Sequence, residues 1–234
     1  MRQFALALFP LLTVAGGVVA SAQEPGSEVQ VQFQLPDRGP RDRSITAVVW
    51  LKPTGRFTVA AAWPPGHFTL LQKKRMFTPH LLVIPVGSAV SFPNGDPFFH
   101  NVFSLFNGKR FDLGLYEAGT SRDVVFSREG VSYIFCNIHP EMSAVVVALS
   151  TRFYAVAAPG GALTIHAVPA GDYELHVWVE GMAQPALDRL AQRIHVEPGS
   201  SNAVKLDLKE LPGLPESHLN KFGQPYEREP KPVY

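Results

Sequence analysis

Residues 28–35 alternate without a break: Val29, Val31, Phe33 and Leu35 fall on one side, Glu28, Gln30, Gln32 and Gln34 on the other. A period of two predicts a strand with one buried face. After a charged turn at 36–43, a second strand is predicted over 45–51, where Val48, Val49 and Trp50 run together; residues 53–66, rich in Pro, Gly and Ala, read as connection. From residue 67 short apolar segments succeed one another at 68–72, 81–84, 89–92, 102–105, 122–126, 131–135 and 143–149. Turn signals separate them, among them Gly87-Ser88, Asn94-Gly95-Asp96-Pro97, Asn107-Gly108, Ala118-Gly119 and Glu129-Gly130. Strands of this length and spacing, with no helical period, predict an all-β sandwich. A last group at 163–167, 172–179, 193–196 and 203–208 predicts further strands, with one short helical turn expected over 188–192. Residues 210–234, with five prolines and little apolar content, are expected to form an extended or disordered tail.

The start of the chain changes the picture of where it works. Arg2, an apolar run over 4–19 and Ala20-Ser21-Ala22 before Gln23 form the pattern of an export signal, cleaved after Ala22. The run is short and interrupted by Pro10, Gly16 and Gly17, so no stable membrane span is expected, and a periplasmic or otherwise exported protein is. Losing residues 1–22 removes Arg2 and leaves 20 basic against 20 acidic residues. A balanced chain lacks the basic field that nucleic-acid binding requires. Its single cysteine, Cys136, cannot close an internal disulfide. In an exported protein that leaves a pairing partner for another chain, a reactive thiol or a metal ligand.

The surroundings of Cys136 favour the metal. Cys136, His139 and Met142 stand at Cys-x2-His-x2-Met spacing, and His100 lies 36 residues upstream of the cysteine. Two imidazoles and a thiolate with a weakly held thioether on the axis are the ligand set of a blue-copper centre. Cys136 ends the predicted strand 131–135, His139 and Met142 occupy the loop before strand 143–149, and His100 ends a loop entering strand 102–105. Three ligands from one tight loop plus one from a distant strand predict a preformed site at one end of a sandwich. A closed three-plus-one set leaves no position for substrate, so electron carriage rather than an enzyme is expected. Asn101 and Asn137, each beside a ligand, are candidates for hydrogen bonds that pin the ligand loops or support the sulfur. Phe98, Phe99, Phe103, Phe106 and Phe135 are candidates for an apolar shell.

Asn94-x-Asp96-x3-His100-Asn101-Val102 upstream of Cys136-x2-His139-x2-Met142 resembles the cupredoxins, with the compact ligand loop of the amicyanin and pseudoazurin type. The stretches from Phe77 to Ser88 and from Phe92 to Ser104, with Lys109-Arg110-Phe111-Asp112-Leu113-Gly114, also resemble plastocyanin-like proteins labelled methylamine-utilisation proteins. The likeness covers residues 67–149, about a third of the chain. It implies a Greek-key β-sandwich holding one type 1 copper through His100, Cys136, His139 and Met142, and passing electrons between periplasmic redox partner proteins. Within 151–209, Gly161-Ala162-Leu163-Thr164-Ile165 and Val168-Pro169-Ala170-Gly171-Asp172-Tyr173 resemble a small immunoglobulin- or transthyretin-like β-sandwich of the carboxypeptidase-regulatory kind, which implies a docking or spacing role. In that fold a strand like 47–51 comes early, so residues 28–53 are expected to pair with 151–209 around an inserted 67–149.

Other readings stand beside this one. A copper-holding or delivery protein needs the same ligands, and a metal-free β-sandwich binding module needs none of them. A copper oxidase or nitrite reductase needs a second, histidine-rich centre, and the chain has no His-x-His pair. A binuclear copper centre bridged by two cysteines is excluded by the single cysteine. His166, His176 and His195 lack ligand-spaced neighbours and are expected at the surface, His80 in a turn, and Asp112, Lys109 and Arg110 as ordinary surface charges.

Overall fold

The computed structural model describes residues 26–34, 45–54, 63–105, 108–157, 163–209 and 218–226. The export signal and its cleavage point, the turn at 36–43, Phe106, and the tail at 210–217 and 227–234 lie outside the described residues. Those residues are all-β, with one short helix, Gln184–Asp188. Among them no helix is long and apolar enough to cross a membrane.

The alternating segment forms Ser27–Gln34 and pairs antiparallel with Leu163–Val168 and parallel with Ser201–Asp207. Ala47–Pro53 lies between Tyr154–Val156 and Gly171–Val179, with Gln192–Val196 beyond. Both early strands therefore pair, among the described residues, with strands that follow residue 150. The chain between them builds its own sheets. One has five strands in the order Leu81–Pro85, Ser143–Leu149, Gly130–Phe135, His100–Ser104 and Phe111–Tyr116. The other has Asp123–Val125, Ala89–Ser91 and His67–Thr69, and a hairpin joins Leu71–Lys73 to Met76–Thr78.

Ser143–Leu149 ties the two sets of sheets together. Val145, Val147 and Leu149 pack with Val49, Leu51, Leu175 and Trp178, while Ala144, Val146 and Ala148 pack with Phe92, Ile134, Cys136 and Met142. A strand buried on both faces reads as a continuous apolar run instead of an alternation, which is the pattern from Ala144 to Leu149. Burying each valine is worth about 1.5–3 kcal/mol, so both faces contribute to holding the strand.

Some elements differ from expectation. Phe111–Tyr116 has the apolar positions of a strand, but Gly114 at φ +68° interrupts them. The register against His100–Ser104 slips there by one residue, the mark of a β-bulge, and the buried face passes from Phe111 and Leu113 to Tyr116. The helix lies a turn earlier than 188–192, beginning beside Pro185, whose fixed φ suits a first turn. Residues 218–226 of the tail lie packed on the rest of the protein.

His80 joins the two sheet systems, its Nδ1 at 3.1 Å from the Ser143 carbonyl and its Nε2 at 2.6 Å from Glu180 Oε1. The hydrogen bond to Glu180 raises the imidazole pKa above 6.5 against an opposing desolvation, and the same bond lowers the carboxyl below 4.5. Stability from a raised imidazole is present below 6.5 and lost as pH rises through the folded value; stability from a lowered carboxyl is lost as pH falls below 4.5. The unfolding free-energy difference between wild type and His80→Gln is thus expected to peak between those values and to shrink above neutrality. Denaturant titrations across pH check this, and a difference that grows from pH 6 to pH 9 contradicts it.

Candidate metal centre

His100, Cys136 and His139 converge, their donor atoms all within 4.8 Å of one another. Cys136 Sγ is 3.7 Å from Nδ1 of His100 and 3.5 Å from Nδ1 of His139. Two neighbouring strands achieve this: Gly130–Phe135 pairs with His100–Ser104 through Phe135 and Phe103, which sets Cys136 beside the start of the His100 strand. The loop then closes on itself, since Met142 N–H donates to the His139 carbonyl at 3.1 Å and Cys136 N–H to the Met142 carbonyl at 3.2 Å. Met142 is fully buried in the same apolar cluster as Cys136. His100 is also buried, whereas His139 reaches partway to the surface.

His100 is oriented by a carboxylate. Its Nε2–H donates to Asp96 Oδ2 at 2.9 Å, which leaves Nδ1 as a lone-pair donor facing the sulfur. Asp96 is itself fixed by two backbone donors, Lys74 N–H to Oδ1 at 2.6 Å and Arg75 N–H to Oδ2 at 3.0 Å. Burial works to raise the Asp96 pKa, but the bonds from Arg75, His100 and Lys74 outweigh it and hold the carboxyl below 3.8. Lys74 and Arg75 both stand at φ +56°, a left-handed turn usually left to Gly or Asn. That strained turn aims both N–H groups at one carboxylate. Asn94 shapes the other side, its Oδ1 accepting Asp96 N–H at 3.0 Å and its Nδ2 donating to the Phe98 carbonyl at 2.8 Å. This explains the Asn94-x-Asp96-x3-His100 spacing: an Asx turn presents the carboxylate to the imidazole.

The sulfur is buried and surrounded by donors. Burial pushes the Cys136 thiol pKa up, and backbone N–H groups of Asn101, Ile138 and His139 pull against it. With the net direction upward, the metal-free group is a neutral thiol out of reach of solvent, which is inert to oxidation and exchange. The same three donors suit a thiolate once a cation supplies the opposing charge. Burial above all, with the Arg75 charge adding to it, lowers the His139 pKa, which favours the neutral imidazole that can ligate. Phe98 touches both rings, at 5.2 Å from His100 and 5.6 Å from His139.

The arrangement fits a metal. Bonds of about 2.0 Å to imidazole and about 2.3 Å to thiolate, about 120° apart, set N and S about 3.7 Å from each other. Both observed separations agree with that figure.

The two asparagines differ: Asn101 supports the sulfur as its position suggested, but through its backbone, while the Asn137 side chain turns away to the end of the chain. Asn101 reaches the sulfur with its backbone, and its Nδ2 donates to Asp112 Oδ1 at 2.7 Å. Asn137 Oδ1 accepts Lys221 N–H at 2.9 Å. Asp112, taken from sequence as a surface charge, also receives Lys221 Nζ at 2.7 Å. Burial works to raise the Asp112 pKa, while the Lys221, Asn101 and Gly114 bonds hold it below 3.8. Phe103 is buried, but Phe98 and Phe99 stand at the surface. Asp96 carried a signal in its motif spacing; Lys74, Arg75 and Lys221 carried none.

Asp96→Asn keeps the shape and removes the anion that receives His100 Nε2–H. Metal affinity is expected to fall by about 10–100-fold. A chelator-competition titration checks this; unchanged affinity shows that the carboxylate does not orient the ring.

No family model matches the chain, and no curated protein matches it. Among solved structures it is similar to a purple cupredoxin from Nitrosopumilus maritimus, 28% identical over 35% of this chain and 98% of that one, with a TM-score of 0.32. It is similar also to amicyanin from Paracoccus versutus, 22% identical over 42% of this chain and 97% of that one, TM-score 0.33. A copper-containing nitrite reductase from Thermus scotoductus is 24% identical over 43% of this chain and 26% of its own length, TM-score 0.35. Each likeness takes in less than half of the chain.

Proposed function

We propose that this protein is an exported carrier of single electrons that holds one copper as a type 1 centre, with His100, Cys136 and His139 as strong ligands and Met142 as the weak axial one. The observation that carries the reading is the buried convergence of one Sγ and two imidazole Nδ1 atoms at the spacing a shared metal sets. Copper in such a ligand set supplies a one-electron couple, because thiolate and thioether suit the monovalent ion and imidazole suits both states.

The protein's part is to hold and shield. Asp96 fixes the His100 ring, the donors of Asn101, Ile138 and His139 stabilise charge on the sulfur, and the cluster around Phe92, Ile134 and Met142 excludes water. With three strong ligands and a buried axial residue there is no place for a substrate, so the centre is read as a carrier and not an enzyme. His139 is the ligand nearest solvent, and Phe98 and Ile138 beside it are each more than a third exposed. An apolar rim around the one accessible ligand suits brief docking of redox partner proteins.

Cys136→Ser is expected to abolish an intense visible absorption of the copper-loaded protein and most of its affinity. Met142→Leu is expected to keep the copper and raise the reduction potential. Visible and EPR spectra of the Cu(II)-reconstituted protein check the pair. A colourless copper complex in wild type points to a copper-holding protein, and absence of binding to a metal-free module; colour retained in Cys136→Ser removes the thiolate from the centre.

A further inference from the structure

Residues 218–226 return from the far end of the chain to the ligand loop. Asn220 folds them into a compact turn: its Oδ1 accepts N–H from Phe222 at 2.9 Å and Gln224 at 3.0 Å, and its own N–H donates to the Gln224 carbonyl at 2.9 Å. Gly223 at φ +76° permits the reversal. The turn touches the loop at three points. Tyr226 O–H donates to the Cys136 carbonyl at 2.7 Å, Lys221 N–H to Asn137 Oδ1 at 2.9 Å and His218 N–H to the Pro140 carbonyl at 3.4 Å. The His218 ring stacks on Phe135 at 4.3 Å and 27°, and Tyr226 meets its edge at 5.4 Å. Lys221 Nζ adds the ion pair to Asp112, the carboxylate that also holds Asn101.

Among the described residues, the loop from Cys136 to Met142 has two backbone–backbone hydrogen bonds of its own, both through Met142, beside the Ile138 and His139 N–H groups turned to the sulfur. Cys136, Asn137 and Pro140 are thus tied by a segment about 80 residues away in sequence. We propose that residues 218–226 clamp the ligand loop, with Tyr226, Lys221 and His218 as positioning residues that hold Cys136 and His139 in the metal-binding arrangement. Supporting groups that lock the carriers of a metal's ligands set both affinity and ligand geometry. The clamp rests on the reading of the site as a metal centre, but its effect on the loop does not need the metal.

The test uses the full chain with Tyr226→Phe, with Tyr226→Phe combined with His218→Ala, and with Asn137→Ala beside Asn137→Asp. In metal-free protein, amide exchange over residues 136–142 is expected to rise about fivefold in Tyr226→Phe, the factor one ordinary hydrogen bond is worth, and further in the double variant. Exchange in Gly171–Val179 serves as the control and is expected to stay unchanged. Transfer of copper from loaded protein to a chelator is expected to quicken by a similar factor, with a shifted Cu(II) hyperfine splitting. Asn137→Asp, which keeps an oxygen acceptor for Lys221 N–H, is expected to recover most of what Asn137→Ala loses. Loop exchange that rises without faster copper release or a spectral shift overturns the positioning role, and unchanged exchange in the double variant overturns the clamp. If wild type binds no copper while the loop exchange still rises, the clamp stands and the copper reading falls.

Discussion

The structure depends on one strand, Ser143–Leu149, being dry on both faces. It emerges from Met142, pairs with Gly130–Phe135 on one edge and Leu81–Pro85 on the other, and contributes alternate side chains to two separate cores. A strand so placed cannot slip: a shift of one residue would exchange the small Ala144 and Ala148 with the larger Val145 and Leu149 between two packed interiors. The strand on the other side of the ligand loop, which ends at Phe135, is fixed by the same pairing. Both ends of the seven-residue loop are therefore anchored by the packing that also joins the early and late strands to the middle of the chain. The strands before residue 54 and after residue 150 bear on the site in this physical sense.

Around that anchored loop, orientation is passed through short chains of hydrogen bonds. One runs from the strained Lys74-Arg75 turn through Asp96 to His100. Another runs from Lys221 through Asp112 to Asn101, whose backbone reaches the sulfur. In each, a carboxylate receives several donors and has its pKa lowered, so it remains charged and rigidly placed. Positive φ at two consecutive long side chains is a cost the fold carries where the two N–H groups are needed.

What the sequence made legible follows from the range of each signal. Strict alternation revealed Ser27–Gln34, and the continuous run revealed Ser143–Leu149, because both patterns are local. The Cys-x2-His-x2-Met spacing singled out Cys136 and His139, and the turn residues before His100 announced a loop there. Phe111–Tyr116 alternates in sequence at Phe111, Leu113 and Leu115, but the bulge at Gly114 reverses the buried face, leaving Leu115 exposed and Tyr116 buried. Asp112 looked like any surface charge, since its partners Asn101 and Lys221 stand 11 and 109 residues away. Asn101 and Asn137 are expected from sequence to support the ligand loops or the sulfur, by backbone or side chain, because they adjoin the ligands. Adjacency in sequence brought the Asn101 backbone to the sulfur and said nothing of where either amide side chain points.

The result is a loop restrained from several directions yet open at one ligand. Cys136 and His100 are enclosed by strands, the Asp96 network and residues 218–226, while His139 alone meets solvent. Those restraints reduce how far the ligands can move when charge at the centre changes. In the electron carrier proposed above, a flexible loop would let imidazole and thiolate follow the preferred geometry of each oxidation state, and that movement would have to be undone at every transfer. Anchoring both ends of the loop in buried strands and bonding its middle to a distant segment opposes the movement with packing and hydrogen bonds already present in the folded protein. On this view the additional strands and the returning segment are part of the site's rigidity, and His139 is the part of that rigid body left open to solvent.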